Sequence, residues 1–366
     1  MADTNFTIQD VRVRSVVVPM RRPLVTRIIV IDKAALLLID LETEEGVTGR
    51  SYLFGYTPRG NAYIAPMVRD LARALTGESV EPEALFAKAR KALTMFGHEG
   101  LALIAVAGLD MAAWDAVAKA RGEPLARTLG ADATRVRAYN SNGLGIVGPE
   151  AAAEEAGELL AEGGFSAVKV RLGRETLEED IAVVRAVRDA VGGDVSLPVD
   201  FNQCLDADEA IRRGRALDQE DVYWIEEPIR YDDLDGNARV AAAVETPVQN
   251  GENFYGPDAA ARAIDARALD YLMLDAERIG GVTGWMRTAA LAESAGVPVS
   301  SHLFPEISRH LLAATPGRHW LEYVDWAAPI LDNPVRIVDG HAVVPNVPGT
   351  GIAWDEDAVE KYSVEL

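Results

Sequence analysis

From about residue 134 onward the chain keeps one rhythm, in which a short β-rich segment ends on polar residues and a longer helical segment follows. The β-rich segments are RVRAYNS, SAVKVRL, SLPVDFN, VYWIEEP, TPVQNGEN, LDYLMLDAE, VPVSSHL and HWLEYVD, eight in all. Between them, stretches such as LEEDIAVVRAVRDAVG and GWMRTAALAESAG repeat apolar residues at the three- and four-residue intervals of a helix. Eight alternations point to a closed parallel barrel rather than an open doubly wound sheet. The open sheet would want a phosphate-cradling glycine loop after its first strand. SNGLGIVG is glycine-rich, but it lacks the full dinucleotide fingerprint and the acidic position that should follow.

The stretch before the barrel reads differently. VRVRSVVVP, ALLLIDLET and VTGRSYLFG alternate as antiparallel strands, with Glu45-Gly46 as a hairpin turn. IAPMVRDLARALTG, ALFAKARKAL and LALIAVAGLDMAAWDAVAKARG then switch to helical spacing, and Gly77 and Gly122 look like helix stops. Strands followed by helices make an α+β unit. The expected division is an α+β domain over 1–130, a barrel over 131–327, and a tail over 328–366 that forms a hairpin and returns to the first domain.

A chain of 366 residues has room for one barrel and a smaller domain. Its net charge of −21 argues against nucleic acid and anionic membranes as partners, so an anionic substrate would need a local positive centre. The single cysteine, Cys204, cannot form an internal disulfide, and no partner motif marks it as a nucleophile. The N-terminus shows no signal peptide and the apolar runs no membrane span, so a cytoplasmic location is expected.

The chemistry lies at the strand ends. Asp200 ends LPVD, Glu226 ends YWIE, and Glu252 follows PVQN, each separated from the next by 26 residues, about one βα unit. Three carboxylates therefore reach the same end of three consecutive strands, the end where barrels of this kind carry their active sites. Brought that close, they repel unless a cation neutralises them, and oxygen-only ligation with open positions suits Mg2+. Lys169 and Arg171 lie two apart in AVKVR and face one way, as do Asp200 and Asn202. Asp275 ends YLMLD, His302 ends VPVSSH and Glu322 ends HWLE. A hydrogen α to a carboxylate is very weakly acidic, because its removal adds a second negative charge. A divalent cation and a nearby lysine stabilise that charge, and a histidine held by an aspartate can move the proton. His98, His310, His319 and His341 read as ordinary structural histidines, and Met95, Met111 and Met286 as core filler.

AVKVR, VDFNQ, WIEEP, QNGEN, LDAERIGGVTGW, SSHLFPEIS and HLLAATPGRHWLE together resemble the enolase superfamily and, within it, the mandelate racemase branch. The resemblance spans nearly the whole chain. It implies a modified (β/α)7β TIM-type barrel with the N-terminal α+β unit as a capping lid, completed by the C-terminal tail. It also implies one Mg2+ per subunit on Asp200, Glu226 and Glu252, with Asn202 behind them. Lys169 would hold the substrate carboxylate, His302 tuned by Asp275 would be base or acid, and Glu322 the electrophilic partner. The lid segment Arg21–Ile31 and Tyr56 would close over the substrate. Arg27, Tyr56, Ser141 and Asn202 are the expected substrate contacts, and a homo-oligomer is the expected assembly.

Mandelate racemase has Lys-x-Lys where this chain has Lys169-Val170-Arg171, and arginine stays protonated and makes a poor base. Arg278 also replaces an expected lysine, and Arg21, Arg22 and Arg27 stand in the lid where mandelate racemase looks apolar. A polar, polyhydroxy or dicarboxylic substrate is therefore expected over an aryl one. Three readings follow. The first is dehydration of an acid sugar or related hydroxy acid with His302 alone. The second is racemisation or epimerisation of a 2-hydroxy acid. The third is a non-catalytic binding protein on the same fold.

Overall fold

The alternating N-terminal segments form an antiparallel sheet of β1 (Ile8–Val25), β2 (Val30–Thr43) and β3 (Thr48–Phe54), in a computed structural model that describes residues 6–366. Gly46 turns β2 into β3 at φ +82°, a conformation open to glycine because it has no Cβ. Helices α1 (Pro58–Leu75), α2 (Pro82–Ala92), α3 (Leu101–Ala120) and the single turn α4 (Leu125–Thr128) follow. Thr57 caps α1 by accepting a hydrogen bond from the Gly60 N–H, and Pro58 fills the first turn, where a missing N–H costs nothing. Helix α3 lies hard against β3, for a Cβ on Gly49 would sit 2.0 Å from the Ala112 carbonyl oxygen. Among the described residues, α3 is the one helix long and apolar enough to cross a membrane. Most of its apolar window is buried inside the fold, as in a core helix.

Eight parallel strands follow: β4 (Arg135–Asn140), β5 (Val170–Arg171), β6 (Val199–Asp200), β7 (Ile225–Glu226), β8 (Val248–Asn250), β9 (Tyr271–Asp275), β10 (Val299–His302) and β11 (Leu321–Tyr323). Seven helices alternate with them: α5 (Pro149–Ala161), α6 (Leu177–Val191), α7 (Ala207–Leu217), α8 (Leu234–Ala243), α9 (Pro257–Asp265), α10 (Gly281–Ala295) and α11 (Pro305–Ala313). Strands β5 to β10 pair in chain order and β11 pairs with β4. Bridges between Asn140 and Val168 and between Val299 and Arg318 close the ring. The architecture is the expected (β/α)7β barrel under an α+β cap. Tyr139, Ala167, Trp224, Met273 and Trp320 fill its interior as a packed layer, so chemistry is confined to the rim above.

The tail takes a detour that the sequence did not suggest. Strands β12 (Ile337–Val338) and β13 (His341–Val343) form the hairpin, but β13 pairs with Arg135–Arg137 of β4. Strand β11 pairs only with Ala138–Asn140, so the first half of β4 has backbone groups left to satisfy. The chain then returns to the first sheet. Trp354 donates to Asp40 at 2.7 Å, Glu356 of α12 (Glu356–Tyr362) pairs with Arg14, and Ser363 bridges Val16. Met111 is buried, but Met95 is 90% exposed beside Phe96, because α2 ends before it and leaves it at a loop tip.

Cap and barrel are joined by a buried carboxylate. Asp110 of α3 accepts hydrogen bonds from Thr283 Oγ1 at 2.5 Å and Thr283 N at 2.9 Å, at the start of α10. Burial pushes it from 3.8 up to about 7 despite those bonds. An acid whose folded-state value is raised stabilises the fold below its unfolded value and loses that contribution as pH rises through the folded one. Asp110→Asn should therefore gain stability relative to the parent between about pH 4 and pH 7, with a ceiling of about 4 kcal/mol. Denaturation midpoints of both proteins across that range test this, and a flat difference would refute it.

Candidate active site

The strand register sets three functional side chains level with one another. Arg171 pairs with Asp200, and Asp200 pairs with Glu226. Asp275 pairs with His302 on the far side. Glu252 lies just beyond β8, and Glu322 sits in β11 opposite Tyr139. Above them is a cavity of about 310 Å³ that takes in Lys169, Arg171, Asp200, Asn202, Glu252, His302, Glu322 and Tyr56.

Asp200, Glu226 and Glu252 are buried, and each offers an oxygen within 4.8 Å of the others. The Lys169 ammonium, only 2% exposed, lies 2.5 Å from Glu226 Oε1, 2.8 Å from Glu322 Oε1 and 3.3 Å from Asp200 Oδ2. Burial alone would lower the lysine, but Glu226 and Glu322 outweigh it and hold it well above its usual value. Glu226 also accepts from Trp224 Nε1 and Gln249 Nε2, both at 3.0 Å. Even so, burial and the adjoining Asp200, Glu252 and Glu322 push its carboxyl up to about 8, with Lys169 opposing them. One ammonium does not neutralise four buried carboxylates, and a crowded, hard-oxygen donor set of this kind fits a divalent cation such as Mg2+.

On the opposite side, His302 Nδ1 lies 2.6 Å from Asp275 Oδ2, while Asp275 Oδ1 accepts from the N–H groups of Glu277 and Arg278. That contact assigns the Nδ1 proton to the aspartate side and turns Nε2 toward the cavity. Nε2 is 3.5 Å from Glu252 and 4.0 Å from Glu322. Burial lowers the imidazole, yet Glu252, Asp275 and Glu322 overcome it and carry it up to about 9. Burial likewise pushes Glu322 up, but Lys169 and His302 prevail and keep it ionised.

The remaining expected contacts divide. Tyr56, at φ 59°, packs its ring against Phe54 with centroids 4.4 Å apart and planes tilted by 41°, and its hydroxyl meets the Arg278 guanidinium. Asn202 donates to Asp200 through its backbone at 2.8 Å and its side chain at 3.0 Å. Ser141 lies behind the cavity rather than in it. Its carbonyl and hydroxyl accept from Arg171, as does the Gly143 carbonyl at 2.6 Å. Arg27 faces away and pairs with Glu175 at 2.9 Å. Arg21 pairs with Glu162, and Arg22 with Glu155, Glu158 and Glu162. The lid arginines therefore clamp the lid to the barrel exterior, and the lid shows the cavity Leu24, Thr26, Ile28, Ile29 and Ile31.

Sequence reasoning passed over Gln203, Glu227 and Asn253, which form a polar wall with Arg278. Glu227 accepts from Asn253 and Gln203 and is raised well above its usual value by burial and by Glu252. The doubled glutamate of WIEEP was the available signal. Strand alternation would send its second member outward, but φ +39° at Glu227 turns it back to the rim.

Comparison with known proteins agrees with this geometry. The mandelate racemase / muconate lactonizing enzyme N-terminal domain matches residues 8–130, and the enolase C-terminal domain-like family matches residues 151–358. An enolase from the α-proteobacterium bal199, solved with bound Mg, is 45% identical with a TM-score of 0.96, covering 98% of this chain and 100% of its own. A Bradyrhizobium enolase complexed with magnesium and mandelic acid is 40% identical with a TM-score of 0.95, covering 99% and 100%. The L-talarate/galactarate dehydratase of Salmonella typhimurium is 32% identical over 328 residues, 89% of this chain and 82% of the relative. With both family matches laid end to end along it and the acid triad at its barrel rim, this chain belongs to the mandelate racemase / muconate lactonizing enzyme group of the enolase superfamily.

Proposed function

We propose that the chain removes the proton α to the carboxylate of a hydroxy acid and expels the β-hydroxyl as water, as in the dehydration of an acid sugar. The observation that carries this reading is the asymmetry of the cavity. One face presents His302 on Asp275, and the other presents Lys169, held in its charged form by the carboxylates around it, and Arg171, a residue type that makes a poor base. A single competent base suits elimination, in which one group can take the proton and return it to the leaving oxygen on the same face. Mg2+ on Asp200, Glu226 and Glu252, when bound, supplies the positive charge that stabilises a carboxylate gaining a second negative charge.

The chain's own residues do the rest. Lys169 meets the substrate carboxylate. His302 Nε2, in the neutral form that a cation held on Glu252 would favour by offsetting that carboxylate's pull on the ring, takes the α-proton, then protonates the departing hydroxyl, while Asp275 holds the ring in place. Glu322 faces the second carboxylate oxygen, a role that requires the proton Lys169 at present denies it. Arg171 braces the Ser141–Gly143 loop and keeps a fixed charge on the face without a base. Asn202, Gln203, Asn253 and Arg278 offer hydrogen bonds to hydroxyl groups. The reading places the protein in the cytoplasm with a small carboxylate as its partner, and the net charge of −21 speaks against nucleic acid and membrane. Exposed Met95 and Phe96 support a homo-oligomer.

One observation favours a second reading, racemisation or epimerisation of a 2-hydroxy acid. The lid wall is apolar, and the Bradyrhizobium relative holds mandelic acid. The two readings part in D2O. Incubated with Mg2+ and a panel of sugar acids, the enzyme should form a keto acid from at least one, and any returned substrate should carry deuterium with its configuration retained. Exchange with inversion, and no keto acid, would establish the racemase instead. The intact Asp275–His302 pair counts against the third, non-catalytic reading.

A further inference from the structure

At the opposite, N-terminal end of the barrel, a cavity of about 380 Å³ is lined by Arg135, Arg137, Leu312, Arg318, His319 and His341, with Val136 behind them. None of its lining residues is acidic, in a chain that carries 57 Asp and Glu. Arg135 and Arg137 alternate onto one face of β4, and pairing with β13 sets His341 beside Arg137. Arg318 enters from the segment before β11, bridged to Val299. Among the described residues, none of the three guanidinium groups has a hydrogen-bond or ion-pair partner, although arginines elsewhere on this surface pair readily. Arg137 is held in place, with its guanidinium 3.6 Å from the centre of the Trp320 ring.

Three unpaired cations around one concavity repel one another, and leaving them so is a poor arrangement in a protein with an excess of carboxylates. We propose that this cavity is a binding site for a small multivalent oxyanion, of the phosphate or polycarboxylate class, separate from the catalytic mouth. Arginine forks match the planar or tetrahedral oxygen arrays of such ligands. His319 adds no charge, because burial and Arg137 lower it to about 4 and its ring is engaged with Tyr223 at 2.8 Å, so the three arginines carry recognition. The site adjoins the barrel's interior layer. Trp320 stacks on Arg137 from below, and Trp224 of the same layer donates to the metal-site residue Glu226. Occupancy can therefore be sensed at Trp320.

The test is calorimetric titration of the intact protein with inorganic phosphate, citrate and succinate, each in separate runs. Phosphate or citrate should bind in Arg135→Gln/Arg318→Gln with affinity weakened by about tenfold or more, the loss of at least one charge-assisted hydrogen bond. His302→Asn, a substitution at the catalytic mouth, should leave that affinity unchanged. Tighter phosphate binding would assign a phosphoryl ligand, and tighter citrate binding a polycarboxylate. A tryptophan fluorescence change on binding should disappear in Trp320→Phe. The proposal fails if none of the three anions binds, if binding survives undiminished in the double arginine variant, or if it is lost in His302→Asn. It fails equally if the arginine substitutions change only the oligomeric state, which would make an acidic face of a second copy the true occupant.

Discussion

His302→Asn is expected to abolish exchange of the substrate α-proton, by about 10²–10⁴-fold, the usual contribution of a positioned general base. The geometry leaves no substitute on either face. On the His302 side, Nε2 is the ring nitrogen aimed into the cavity, because Nδ1 is committed to Asp275 at 2.6 Å. On the other side, Lys169 lies among Glu226, Glu322 and Asp200 and keeps its proton, and Arg171 spends its fork on Ser141 and Gly143. His302 is not among the three metal-site carboxylates, so the variant should still bind Mg2+. Loss of exchange with metal binding retained, read by proton NMR in D2O and by calorimetry, would place the defect in proton transfer. Exchange above a tenth of the parent rate would remove His302 from this role and reopen the search for a base on the Lys169 face.

The barrel and its acid triad were legible because two periodicities coincide. Side chains repeat every second residue along a strand, and strands repeat every βα unit, so Asp200, Glu226 and Glu252 announce a shared rim from spacing alone. The same reasoning reached Lys169, Asp275 and His302. It failed where the backbone leaves regular geometry. Asn202, Gln203, Glu227, Leu303 and Phe304 all have positive φ at strand exits, so alternation no longer says which way a side chain points. In the lid, the pairing of β1 with β2 shifts register between Pro19 and Leu24. Arg27, Ile28 and Ile29 then lie in the turn between the two strands, where alternation does not apply, and there Arg27 pairs with Glu175 while both isoleucines line the cavity. Counting lid charges led to the expectation of a polar substrate, but those arginines do not line the cavity. The roof is apolar, because charge count carries no information about direction.

Lys169→Met tests the electrostatics of the triad without any appeal to turnover. In chelator, the parent holds Asp200, Glu226 and Glu322 around one ammonium at 3.3, 2.5 and 2.8 Å, all but sealed from water. Methionine keeps much of the side-chain volume and removes the charge, leaving buried carboxylates that must share protons or repel. Removing one partner of a buried ion pair costs about 3–5 kcal/mol, chiefly because the other partner stays buried and unpaired. The denaturation midpoint of Lys169→Met in chelator should fall accordingly. Mg2+ should then restore more stability to the variant than it adds to the parent, because a divalent ion that binds only the folded form stabilises it by mass action, and in the variant no ammonium competes for Glu226 and Asp200. Adding Glu322→Gln to the variant should recover part of the loss in chelator, since one of the stranded charges is gone. If Lys169→Met is as stable as the parent in chelator, and Mg2+ moves neither protein, then these carboxylates are not a charge-coupled cluster and the ion has no site among them.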